Sequence, residues 1–172
     1  MRIVVTAVGR LKAGPDRQLA ERYRDRAIKV GRTLGLRGLD IIEIKESRAH
    51  EAERRITEEA IALVSAIPDD AIKVVLDSRG QNASSDALAG RIRGWRDGGR
   101  QVLCFVIGGA DGLAAGLLDN ADMIFAFGSA TWPHQLVRIM LMEQVYRAMT
   151  ILSSHPYHRV CGRPENIAWK PK

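Results

Sequence analysis

The chain has 172 residues, 46% of them hydrophobic and 27% charged, which suits one compact domain and argues against disorder. A formal net charge of +6 favours an anionic partner such as nucleic acid. Only two cysteines, Cys104 and Cys161, occur, far apart and without a CxxC or histidine-rich context, so neither a disulfide framework nor a zinc site is suggested.

RIVVTAV (2–8) is β-branched and apolar and predicts a first strand. Its apolar run is too brief for a signal-peptide core and no small-residue cleavage site follows, which points to the cytoplasm. From Gly14 to Arg37 seven basic residues stand against three acidic ones, a pattern that suits a solvated helix face as well as a nucleic-acid surface. LDIIEI (39–44) predicts a second strand. Residues 49–66 predict a helix with Ala52, Ile56, Ala60, Leu63, Val64 and Ile67 on one stripe, covered elsewhere by Glu51, Arg54, Arg55, Glu58 and Glu59. IKVVLD (72–77) and QVLCFVIG (101–108) are nearly continuous apolar runs, as strands buried on both faces require. Between them SSDALAGRIRGW begins a helix with Ser84 or Ser85 as N-cap, and DMIFAFG (122–128) reads as a fifth strand. This alternation predicts an α/β fold with a mainly parallel sheet flanked by helices.

The last helix, HQLVRIMLMEQVYRAMTILSS, is apolar on more than one face. Either a second copy of the chain covers the extra face or the helix is deeply buried. Arg138, Glu143 and Arg147 interrupt the longest apolar stretches, so no segment is expected to span a membrane. From Ser153 onward Arg159, Arg163, Lys170 and Lys172 stand against Glu165 alone, with His155 and His158 in addition.

In a parallel α/β sheet ligands gather at the carboxyl ends of the strands, which directs attention to VVLDSRG (74–80), FVIGGADG (105–112) and FAFGSATWPH (125–134). Gly108 and Gly109 would let a backbone approach a ligand closely or take positive φ, and Gly112 would permit a tight turn; on their own, such glycines after a strand more often form just a turn. No GxGxxG follows the first strand and no GxxxxGK[ST] or GxSxG occurs, which disfavours a dinucleotide domain, a P-loop NTPase and a serine hydrolase. The histidines do not form a metal-binding set, since a proline separates His155 from His158, and His50 and His134 are remote. HPYHR (155–159) brings together side chains that can stack on bases, bind phosphates and move protons.

FVIGGADGL, TWPHQLVRIMLMEQVYRA and HPYHR, in this order and at these separations, resemble the ribosomal RNA large subunit methyltransferase H family, of the SPOUT class. The similarity runs from MRIVVTAVGRLK through Arg159, so one domain over 1–159 and an extension over 160–172 are expected. The resemblance implies a homodimer, with the helix after Pro133 as the dimer face in preference to simple burial, and a C-terminal trefoil knot. It also implies an enzyme that uses S-adenosylmethionine to methylate N3 of a pseudouridine in 23S rRNA within the assembled ribosome. By the same resemblance Leu76, Gly108, Phe127, Gly128, Ser129, Ala130, Thr131 and Trp132 match the cofactor-binding positions. Tyr157, His158 and Arg159 match a substrate-binding edge beside the methyl donor, with His158 the candidate to assist removal of the N3 proton. The family usually stops near HPYHR, whereas this chain continues through Lys172. Two other readings stay open: a SPOUT enzyme acting on another RNA such as tRNA, and a ribosome-associated RNA binder without catalysis.

Overall fold

The structure, a computed structural model, describes residues 1–157. Strands β1 (Arg2–Val8), β2 (Gly38–Ile44), β3 (Ile72–Gln81), β4 (Val102–Ile107) and β5 (Met123–Phe125) form one sheet in the order β2-β1-β4-β3-β5, each pair parallel. Helices α1 (Pro15–Gly31), α2 (Ala52–Ala66), α3 (Ser85–Asp97) and α4 (Ala115–Asp119) lie in the crossovers, and α5 (His134–Leu152) follows β5.

Crossover helices cover both faces of such a sheet, so its inner strands must be apolar in both directions. In β1, Ile3, Val5 and Ala7 enter one core while Val4 and Val8 enter the other. In β4, Leu103, Phe105 and Ile107 alternate with Cys104 and Val106 in the same way. The first core is closed by α1, α3 and α5 through Ala27, Leu88, Ile92, Leu141, Met142 and Val145; the second is closed by α2 and α4 through Leu63 and Leu117. Burial pushes the Cys104 thiol pKa up, as befits an inert core residue.

Several local expectations shift. β3 runs past Asp77 to Gln81, because Gln81 pairs with Phe125 after an irregularity in the ladder. β5 ends at Phe125: the Ala126 N–H donates to the Gln81 carbonyl at 3.0 Å, and Gly128, at φ +96°, helps turn the chain off the sheet. In α2 the stripe holds at Leu63, but Ala52 is exposed, Val64 is 57% exposed and Glu59, expected on the polar cover, is only 6% exposed. The Ser47 N–H holds Glu59 inward, donating to its Oε1 at 3.0 Å. Ser84 is the N-cap of α3, accepting from the Ala87 N–H, whereas Ser85 donates to Gln144 on α5 at 2.7 Å. The basic stretch on α1 is partly neutralised locally, by Arg17 on Glu21 and Arg24 on Asp25.

For α5, burial within the chain accounts for the two-faced pattern. α1 and α3 pack along it, Tyr23 meeting Tyr146 with ring centroids 6.1 Å apart. Among its large hydrophobic side chains only Leu136, in the first turn, is exposed.

Candidate active site

The carboxyl ends of β3, β4 and β5 and the first turn of α5 enclose a cleft of about 600 Å³. Leu76, Ile107, Phe125, Ala126 and Val137 give it an apolar lining, and the segment Phe127–His134, Ser129 apart, supplies much of the rest. Of the positions expected to bind cofactor, Leu76, Gly108, Phe127, Gly128, Ala130, Thr131 and Trp132 line the cleft. Ser129 does not; it is exposed and outside the lining.

The loop before α5 has its own supports. Phe127 packs edge-on against Phe125 at 4.9 Å, and the Trp132 indole N–H donates to the Phe127 carbonyl at 3.2 Å. The indole is left 44% exposed beside the cleft. Among the described residues the backbone N–H groups from Phe127 to Trp132 have no acceptor, leaving donors for a ligand along an apolar slot.

The β4 glycines answer to packing within the protein. A Cβ on Gly108 would stand 2.7 Å from Leu113 Cγ and 2.9 Å from the Gly112 carbonyl oxygen. One on Gly109 would stand 2.5 Å from Glu59 Oε2, a buried oxygen with no hydrogen-bond partner among the described residues. Only Gly112 takes positive φ, +93°, in the turn closed by its N–H to the Gly109 carbonyl. Beside it Arg55 of α2 donates to both carboxylate oxygens of Asp111, at 2.7 and 2.9 Å, and to the carbonyls of Ala49 and His50. The guanidinium holds the Asp111 carboxyl below its usual range. Thus α2 grips this loop from behind through Arg55 on Asp111, and Glu59 packs closely enough against Gly109 to leave no room for a side chain there.

Asp77 and His134 also line the cleft and were not singled out from the sequence. The Asp77 carboxylate accepts from the Arg79 side chain at 2.8 and 2.9 Å, which lowers its pKa and keeps it ionised. Its position directly after Leu76 at a strand end was the available signal. One turn beyond His134, Arg138 is fully buried. It donates to Glu43 Oε1 at 2.8 Å and to the carbonyls of Val8 and Gly9 at 3.1 and 2.8 Å, joining α5 to the ends of β1 and β2.

Tyr157 lies elsewhere. Its hydroxyl donates to Glu143 in the middle of α5 at 3.2 Å, and its ring meets Tyr146 at 4.5 Å under the Arg147 guanidinium. Glu143 is six residues along α5 from Val137, the last cleft residue on that helix, about 9 Å at the helical rise, and Tyr157 is not among the residues that line the cleft of its own chain. Burial, reinforced by Glu143, pushes its phenol pKa up to about 12. His158, Arg159 and the extension 160–172 lie outside the described residues. Among the described residues no His, Cys, Asp and Glu side chains cluster in a metal-binding arrangement, and no helix is long and apolar enough to cross a membrane.

A family model described as "Predicted SPOUT methyltransferase" matches residues 1–158. The ribosomal RNA large subunit methyltransferase H of Bradyrhizobium sp. (strain ORS 278) is 59% identical over 159 residues, 92% of this chain and 98% of its own. The protein of the same name from Rhodopseudomonas palustris (strain BisB18) is 57% identical over 92% of this chain and 99% of its own. A solved probable methylase family protein from Haemophilus influenzae Rd KW20 aligns with 92% of this chain and 70% of its own at 12% identity and a TM-score of 0.48, too distant to bear on the site.

Proposed function

We propose that this chain, which belongs to the SPOUT methyltransferases and among them to the ribosomal RNA large subunit methyltransferase H family, methylates N3 of a pseudouridine in 23S rRNA of the assembled ribosome. The observation that carries this reading is the cleft itself, which brings together Leu76, Gly108 and the Phe127–Trp132 loop from three strand ends. Its volume falls within the roughly 300–1,000 Å³ of small-molecule sites. An apolar lining, free backbone donors and an exposed indole fit S-adenosylmethionine, whose adenine needs a slot with backbone hydrogen bonds.

When bound, S-adenosylmethionine supplies an electrophilic methyl on a sulfonium. Leu76, Ile107 and Phe125 exclude water from the buried side of the slot, and Trp132 covers its open side. The loop held by Arg55 through Asp111 fixes the opposite wall, so orientation of the two reactants contributes most of the acceleration. The uracil N3 forms the new bond to carbon as the methyl–sulfur bond breaks, and the N3 proton leaves to a base for which His158 is the candidate. Arg159 clamps a phosphate or base oxygen, and Tyr157, packed on Tyr146 and Arg147, anchors the start of this substrate-binding edge to α5. The working unit is a homodimer in which the RNA contacts both subunits. The seat of Tyr157 on Glu143, outside the cleft of its own chain, favours a second copy whose cleft the tail serves. A ribosomal substrate places the protein in the cytoplasm.

The test is transfer of labelled methyl from S-adenosylmethionine to ribosomes lacking the modification, with the product nucleotide mapped by mass spectrometry. Label on N3 of the large-subunit pseudouridine is expected. Cofactor binding without transfer would direct the search to other RNAs, and absence of both would leave an RNA binder.

A further inference from the structure

A second cleft, of about 580 Å³, opens on the same edge of the sheet where β1 and β2 end. Its walls are residues 9–13 after β1, Arg17 on α1 and residues 45–48 after β2. Arg10, Lys12, Arg17, Lys45 and Arg48 line it against the single carboxylate of Glu46. Arg10 faces Glu43 at 3.6 Å and Arg17 faces Glu21 at 2.9 Å. Lys12, Lys45 and Arg48 are exposed and have no acidic partner among the described residues. Crowded like charges repel one another, a cost relieved when an anion lies among them.

The groove is rigid at its root and continuous with the cofactor cleft. Buried Arg138 fixes the Val8 and Gly9 carbonyls, and Glu43 accepts from the Leu11 N–H at 2.9 Å. His134 lines the cofactor cleft while its Nε2 stands 3.9 Å from Glu46 Oε1 in the groove. Gly9, at φ +83°, passes close beneath both: a Cβ there would stand 2.7 Å from Glu46 Oε1 and 3.0 Å from His134 Nε2. Neighbouring strands are ~4.8 Å apart, so the ends of β1 and β2 lie roughly 5–15 Å across the edge from those of β4 and β3. An open trough with lysine point charges on separate segments suits a polyanion strand better than one small anion, which favours a closed set of donors.

We infer that this groove holds the phosphate backbone of the RNA flanking the target base, with Lys12, Lys45 and Arg48 each facing a phosphate. The inference rests on the methyl-transfer reading above and adds the path by which the strand leaves the cofactor cleft, past His134 and over the ends of β1 and β2.

Each phosphate contact to single-stranded nucleic acid contributes about 0.7 to the slope of log K against log salt. The variant Lys12→Gln/Lys45→Gln/Arg48→Gln should therefore lower that slope by about 2 and weaken RNA binding about 100-fold at 0.1 M salt. A control, Arg2→Gln/Arg93→Gln/Arg100→Gln, removes the same charge away from the groove. Binding of a fluorescein-labelled single-stranded RNA spanning the target region is read by anisotropy, S-adenosylmethionine binding by calorimetry, and transfer to unmodified ribosomes by label. Expected are a large loss of RNA affinity in the groove variant only, a raised KM for ribosomes with kcat retained, and an unchanged cofactor titration. Equal losses in both variants, an unchanged salt slope, or no RNA binding by the wild type would overturn the groove. Transfer by the wild type alongside such a result would leave the methylation reading standing. Conversely, RNA affinity lost only in the groove variant, with no transfer by the wild type, would sink that reading and leave the groove.

Discussion

Replacing Arg138 with methionine tests the junction between α5 and the sheet. The substitution keeps much of the side-chain volume but deletes the bond to Glu43 Oε1 at 2.8 Å and those to the Val8 and Gly9 carbonyls at 3.1 and 2.8 Å. Removing one partner of a buried ion pair costs about 3–5 kcal/mol, because the other charge is left uncompensated. Two observations favour the lower end: the Glu43 side chain is 21% exposed, so water can reach it, and Arg138 Nε has no hydrogen-bond partner among the described residues. A loss of about 3 kcal/mol lowers the melting temperature of a domain this size by roughly 6–12 °C. Urea unfolding by circular dichroism, at one protein concentration, measures it. The same substitution in a Glu43→Leu background should cost less, with a coupling of about 1–2 kcal/mol. A single-variant loss below about 1 kcal/mol would mean that the guanidinium holds nothing together, and would refute the argument.

Three further outcomes are expected. Asp111→Asn removes the carboxylate that Arg55 grips; the pair is partly exposed, so stability changes by less than ~1 kcal/mol, while the calorimetric Kd for S-adenosylmethionine rises about 3–10-fold. An unchanged Kd would separate this grip from the cofactor cleft. The Tyr157 phenol should titrate at about 12, seen by subtracting the ultraviolet alkaline titration of Tyr157→Phe from that of the wild type. Because an unfolded tyrosine ionises near 10, the stabilisation of the neutral phenol is complete below about pH 10 and fades as pH climbs towards the folded value; a Tyr157 component appearing near 10 in the difference would contradict the burial. Deleting Val160–Lys172 is expected to leave the S-adenosylmethionine titration unchanged, and loss of cofactor binding would make the extension structural.

The strands were legible because their residues face two cores at once, so β1, β3 and β4 appear as apolar runs whatever lies around them. Elements set by a distant partner were not. β3 reaches Gln81 only through its pairing with Phe125, and β5 stops early because Ala126 turns to the Gln81 carbonyl. Glu59 reads as a solvent-facing helical carboxylate until Ser47 draws it inward, and α5 has the same two-faced pattern whether a second subunit or its own α1 and α3 cover it. The cofactor positions were read mainly through the family resemblance; they lie along one cleft apart from Ser129, which is exposed outside the lining. Arg138 looked like a break in an apolar run; its reach to carbonyls some 130 residues earlier has no local signature.

Since every strand pair is parallel, both clefts lie at one edge of the sheet and leave the other edge free of them. The Asp97–Arg100 turn before β4 lies on that far side, about 20 Å away along strands of six or seven residues. Gly99, at φ +82° with open space beside it, sits at its tip. A fluorophore or affinity handle inserted there would report on the molecule without touching either cleft, making that turn a natural attachment point for single-molecule work.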